Sequence, residues 1–103
     1  MLEMIVNCNS MEWEKAGKGY PPGTKIKVLR DDESGRTVIL LLPKGFVMEG
    51  HSHIKSEQHF VLQGQYEIEE KVYSQGTYQL IHPNTTHGPF KSKTGAEVLV
   101  IWN

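Results

Sequence analysis

Between Gly45 and Gly64 the chain sets out His51, Ser52, His53, Glu57 and His59, and a further histidine, His87, follows beyond a turn. Imidazole and carboxylate at such spacings are what a divalent metal requires. In an extended segment His51 and His53 point to one side, with Cα atoms about 6.6 Å apart. An imidazole nitrogen reaches a metal at about 2.1 Å, so two rings leaning together can share one ion without distorting the strand. Ile54, Lys55 and Ser56 suffice for a tight connection to a strand that begins at Glu57. On that strand Glu57, His59, Val61 and Gln63 share one face, opposite Gln58, Phe60 and Leu62. Gly64 is expected to end the strand in a turn.

The rest of the chain has to bring His87 back to this stretch. Turn-formers recur at short intervals: Pro21-Pro22-Gly23, Asp31 to Gly35, Pro43 to Gly45, Gly64, Gly76, Pro83-Asn84, Gly88-Pro89 and Gly95. The segments between them are rich in Val, Ile, Leu, Tyr, Phe and Thr, which predicts an all-β sandwich or barrel. Thr24, Ile26 and Val28 alternate with Lys25 and Lys27 as in a half-buried strand. Asp31 to Gly35 then makes a hairpin connection. Its acids lack the spacing and closing glutamate of a calcium loop. Val38 to Leu42 and Val98 to Trp102 are apolar at successive positions, which predicts burial on both faces. Leu2 to Val6 is read as a first strand, laid against or exchanged with another subunit. Met11 to Gly17 is read as one helical turn capped by Ser10, and Trp13 and Tyr20 are expected to pack under the 17–23 loop. Pro83-Asn84 makes the bend before His87, with asparagine tolerating a left-handed backbone.

Length and composition narrow the classes. The chain of 103 residues reads as one domain, 1–103, with eleven basic against twelve acidic residues and a net charge of −1. No block of like charge points to nucleic acid or an anionic membrane surface. The longest apolar run, Val38 to Leu42, is far too short to span a bilayer, and the first residues lack the features of a signal peptide. Cys8 is the sole cysteine. It can form no internal disulfide and is read as an inert thiol, which fits a reducing, cytoplasmic setting. The expected partners are a small-molecule ligand and a second copy in a homodimer, with no nucleic acid and no membrane.

Gly45, His51-Ser52-His53, Glu57 and Gly64 stand at the spacings of the first motif of the cupin superfamily, which the chain resembles at this point. Gly76-Thr77-Tyr78 through Pro83-Asn84 to His87 is similar to the second cupin motif in its glycine-to-histidine distance. Here proline sits one place late, Asn84 occupies the usual glycine position, and Lys91 stands where asparagine is frequent. Tyr20-Pro21-Pro22-Gly23, Val28-Leu29, Val61-Leu62 and Gly76-Thr77-Tyr78 resemble a narrower group, the cupin lobe of ChrR-type anti-sigma factors and dioxygenases of the acetylacetone-cleaving type. The resemblance covers roughly residues 13–102 and implies a double-stranded β-helix, or jelly roll. It also implies metal ligands His51, His53, Glu57 and His87, with Glu57 in some members an acceptor beside the metal rather than a ligand.

His59 stands where such cupins often carry an aromatic residue. It is read either as a satisfied pocket histidine or as a group that hydrogen-bonds substrate or metal-bound water, or replaces Glu57 on the metal. His82, before Pro83, is assigned to the outer surface. Phe46, Met48, Tyr78 and Phe90 either line the cavity or belong to the plain core. Tetrahedral Zn²⁺ would be saturated by three histidines and Glu57, giving a structural or sensing site. Fe²⁺, Mn²⁺, Ni²⁺ or Cu²⁺ would keep one or two positions open for substrate or dioxygen. The expected function is oxygenase-type chemistry on a small molecule, and the alternative is a non-catalytic metal- or ligand-sensing module.

Overall fold

The structure, a computed structural model, describes residues 3–50 and 54–103. His51 and His53 therefore lie outside the described residues. Among the described residues nine strands follow one another: β1 (Glu14–Lys15), β2 (Lys25–Asp32), β3 (Gly35–Leu42), β4 (Phe46–Met48), β5 (Glu57–Ile68), β6 (Lys71–Ser74), β7 (Tyr78–Ile81), β8 (Phe90–Ser92) and β9 (Ala96–Trp102). Every pairing is antiparallel. They form one curled sheet in the order β1-β2-β3-β9-β5-β8-β4, with β6 and β7 also paired to β5. This is the all-β jelly roll that the sequence predicts.

The fold turns on β5. Its first half pairs with β9 and β7, and its second half with β6 and β8. Glu57, His59 and Val61 point inward and are buried, as strand alternation requires. Val61 pairs with Val98 but Gln63 with Glu97, so Leu62 is an extra residue, a β-bulge. The bulge reverses the alternation, leaving Gln63 exposed and burying Tyr66. Gly64 does not end the strand as expected; it lies within β5 at φ 77°. A Cβ there would run into the Gly95 carbonyl oxygen and come within 2.9 Å of Ala96 Cα, so only glycine lets β5 cross β9 here.

The core lies between the two halves of the sheet. Val38, Val61 and Val100 are fully enclosed, each contributing about 1.5–3 kcal/mol by burial. β3 is buried on both sides over Val38, Ile39 and Leu40. β9 differs from the expectation: Ala96, Val98 and Val100 are buried, while Leu99 and Ile101 stay half-buried on the outer face. The N-terminal residues also differ. Residues 3–7 form no strand, and a 3₁₀ turn occupies Cys8–Ser10, with the Asn7 side chain accepting the Asn9 amide at 2.9 Å. Ser10 thus closes a turn rather than opening a helix, because Glu14 and Lys15 are drawn into pairing with β2. Trp13 lies under the Lys27 ammonium, 4.4 Å from the ring centre. No helix among the described residues is long and apolar enough to cross a membrane.

Candidate metal centre

His87 follows the bend that Asn84 makes at φ 62°, in the left-handed region the sequence anticipates. It is 7% exposed, and its Nε2 stands 3.8 Å from Glu57 Oε1. Its ring meets Phe90 edge-on at 5.1 Å and His59 at 6.3 Å. The chain passes the same place again at Gly50, where a Cβ would lie 3.1 Å from the His87 carbonyl oxygen. His51 follows Gly50 directly in sequence.

Glu57 is 3% exposed, and both its oxygens are engaged. Trp102 Nε1–H donates to Oε1 at 2.5 Å, and His59 Nε2 meets Oε2. Burial alone would raise the carboxyl pKa. The neighbouring His59, then His87, and the Trp102 donor outweigh it and hold Glu57 below the ordinary carboxylate range. His59 Nδ1 lies 3.2 Å from Tyr66 Oη, and the Tyr66 hydroxyl donates to Gln79 Oε1 at 2.7 Å. Burial, reinforced by the Glu57 charge, pushes the Tyr66 phenol well above its usual value.

Glu57, His59, Tyr66, Phe90 and Trp102 open onto a cavity of about 730 Å³. Its walls are largely aliphatic and aromatic: Leu40, Leu42 and Val100 from the sheet, with Phe46, Met48 and Phe90 opposite. Lys18 and Tyr20 reach it from the 17–23 loop. Phe46, Met48, His59 and Phe90 thus stand at the cavity. Tyr78 does not. β7 pairs with β5 so that Tyr78 stands opposite Phe60, and both face outward. Tyr78 is 55% exposed and donates to Gln58 Oε1 at 2.6 Å. The inward residues of β7 are Gln79 and Ile81. His82 is exposed, as assigned.

Trp102, Tyr66 and Gln79 were not singled out as site residues by their sequence pattern. Trp102 reads as strand core, and Tyr66 falls beyond Gly64, where the strand carrying His59 was expected to end. The one signal was Gly64, since an isolated glycine within a strand pattern marks a bulge.

Among the described residues no group of three or more His, Cys, Asp or Glu could hold a metal ion. The described half of the implied donor set, Glu57 and His87, is buried at one spot, and its nitrogen and oxygen donors suit a borderline divalent cation. Each carboxylate oxygen has two acceptor positions, so the bonds from Trp102 and His59 leave capacity on Glu57. The residues present fit the group. The remaining two donors, His51 and His53, lie outside the described residues.

A jelly roll whose cavity carries an imidazole and a buried carboxylate, with a second imidazole beside the carboxylate, is the arrangement of the cupins. Within that class, the chain belongs to the ChrR cupin-like domain family, whose model matches residues 1–102. No curated protein matches the chain. Among solved structures, it is similar to an acetylacetone dioxygenase from Acinetobacter johnsonii (TM-score 0.85, 14% identity, covering 99% of this chain and 74% of that one). An RmlC-like cupin from Shewanella frigidimarina NCIMB 400 superposes with TM-score 0.79 at 22% identity, over 98% and 90% of the two chains. The complex of SigE with the anti-sigma ChrR from Rhodobacter sphaeroides gives TM-score 0.75 at 19% identity, over 94% of this chain and 52% of that one. At these identities the likeness establishes the fold.

Proposed function

We propose that the protein binds one divalent metal through His51, His53 and His87, with Glu57 as the fourth ligand or as the acceptor beside it, and acts on a small molecule by oxygenase-type chemistry. The observation that carries this reading is the juxtaposition of buried Glu57 and His87 beside an apolar cavity of about 730 Å³, a size that suits a small-molecule ligand. When bound, the metal would supply Lewis-acid or electron-transfer chemistry. The chain's own residues do the rest. Leu40, Leu42, Val100 and Phe90 exclude water and favour an apolar substrate body, and Tyr20 and Lys18 border the way in. His59 and Trp102 hold the Glu57 carboxylate in one orientation.

The test is elemental analysis of tag-free protein, followed by oxygen-consumption assays with β-diketones and hydroxylated aromatics on the iron-, manganese- and nickel-loaded forms. Metal-dependent oxygen uptake with one class supports the reading. Tight zinc with no uptake for any loaded form favours the second reading, a metal- or ligand-sensing module. That alternative has its own support in the family description, which takes its name from ChrR.

A cytoplasmic homodimer belongs to the same proposal. Phe60, Tyr78 and Leu80, 39–55% exposed, stand together on the outer face of β5 and β7, which suits contact with a second copy. The single cysteine suits a reducing compartment.

A further inference from the structure

A chain of hydrogen bonds leads away from Glu57 through the cavity wall. Glu57 Oε2 meets His59 Nε2, His59 Nδ1 meets Tyr66 Oη at 3.2 Å, and the Tyr66 hydroxyl reaches Gln79 Oε1 at 2.7 Å. On the other carboxylate oxygen, the Trp102 indole N–H completes the series. Gln79 sits opposite His59 in the β5–β7 register, so the far end is fixed by strand pairing. Tyr66 is held as firmly. Its ring stacks on Phe90 at 5.7 Å and 11° and meets Tyr73 edge-on at 6.3 Å.

The order of donors is set from the Gln79 end. A phenol carries one proton, and Tyr66 gives it to the Gln79 carbonyl oxygen. Tyr66 Oη is then left as an acceptor, so His59 donates Nδ1–H to it, and because the Glu57 carboxylate also only accepts, Nε2 must donate as well, with both ring nitrogens carrying a proton. An unsatisfied buried donor at any link would cost the whole series its geometry.

We propose that Tyr66 and Gln79 are positioning residues: they orient His59 and, through it, fix the Glu57 carboxylate that faces His87. The value of that orientation to a metal rests on the reading given above. The chain of bonds does not, and the two can be tested apart.

Trp102 is the reporter, because its indole N–H donates to the same carboxylate. The protein has two tryptophans, and Trp13→Phe assigns the Trp102 indole resonance by NMR. In metal-free protein, Gln79→Leu removes the acceptor at the half-buried far end and should move that resonance. Gln79→Glu, which keeps an acceptor oxygen, should hold it close to its original position. Tyr66→Phe, if it folds, should move it as Gln79→Leu does. A Trp102 resonance unmoved by Gln79→Leu, or moved equally by Leu and Glu, overturns the proposal. In a second arm Ni²⁺ is titrated into each protein, and Gln79→Leu should weaken binding by about 10–100-fold. Equal affinity in the wild type and Gln79→Leu would also overturn it. A wild-type protein that binds no Ni²⁺ would refute the metal reading, and the metal-free NMR comparison would still judge the positioning chain.

Discussion

His87 Nε2 lies 3.8 Å from Glu57 Oε1, although one opens strand β5 and the other follows the bend after β7. One strand pairing and one bend produce this meeting. β7 aligns with β5 so that Ile81 stands opposite Glu57, and the Pro83-Asn84 bend then turns the chain back to His87. The buried carboxylate and imidazole are therefore a product of sheet register rather than of local sequence.

Glu57 makes stability depend on acid. Its folded-state pKa is held below the unfolded value near 4.5, so its contribution is present above that pH and is lost as the pH falls through the folded value. Urea denaturation of metal-free protein should show this fall below about pH 4.5. Glu57→Gln should flatten it. Glu57→Ala should cost about 1–3 kcal/mol at neutral pH, because the Trp102 and His59 donors lose their buried acceptor.

Tyr66 acts at the other end of the scale. Its phenol is raised from 10.0 by burial and by the Glu57 charge, so the neutral form is the one that folding favours. The stability it contributes is complete below pH 10 and declines as the pH rises toward the folded value. Spectrophotometric titration should find one of the four tyrosines ionising later than the others. Tyr66→Phe should remove that late step and weaken the alkaline dependence of unfolding.

Gly64 and Gly76 both adopt positive φ, 77° and 93°, yet they face different surroundings. A side chain at Gly76 meets open space, while one at Gly64 runs into the Gly95 carbonyl. Gly76→Ala should cost about 1–2 kcal/mol, the backbone penalty alone. Gly64→Ala should cost more than that and disturb the Trp102 and Tyr66 environments. Urea unfolding of the two variants gives the comparison.

The same glycine marks where the sequence stopped being legible. Alternation put Glu57, His59 and Val61 on one inward face, the Asn84 bend follows from turn chemistry, and His87 was placed by the resemblance to the second cupin motif. Period two then carried Gln63 inward and Gly64 was read as the strand's end, whereas the bulge at Leu62 turns Gln63 outward and the strand runs on to bury Tyr66. Tyr78 faces outward for a related reason, because its facing is inherited from Phe60 across the β5–β7 pair. Trp102 looked like the end of a core strand. Only the pairing of β9 with β5, which sets Trp102 opposite Glu57, turns its indole N–H into a partner for the carboxylate. Register between distant strands has no local signature in the sequence.

Metal should bind the folded state alone and stabilise it by mass action. With free Ni²⁺ or Zn²⁺ at 100 times its dissociation constant, unfolding should become harder by about 2.7 kcal/mol. Chelation should reverse the gain, and His59→Ala should retain part of it if Glu57 and His87 are the donors. A thermal-unfolding series over metal concentration reads this directly, and midpoints that do not move with added metal would speak against the site.

The central claim is that His87 completes a metal site with residues from the earlier stretch. Elemental analysis of wild-type and His87→Ala protein, purified identically from metal-replete cells, tests it most directly. The wild type should carry close to one divalent metal per chain and His87→Ala almost none. Equal metal content in the two, or none in the wild type, would contradict the account.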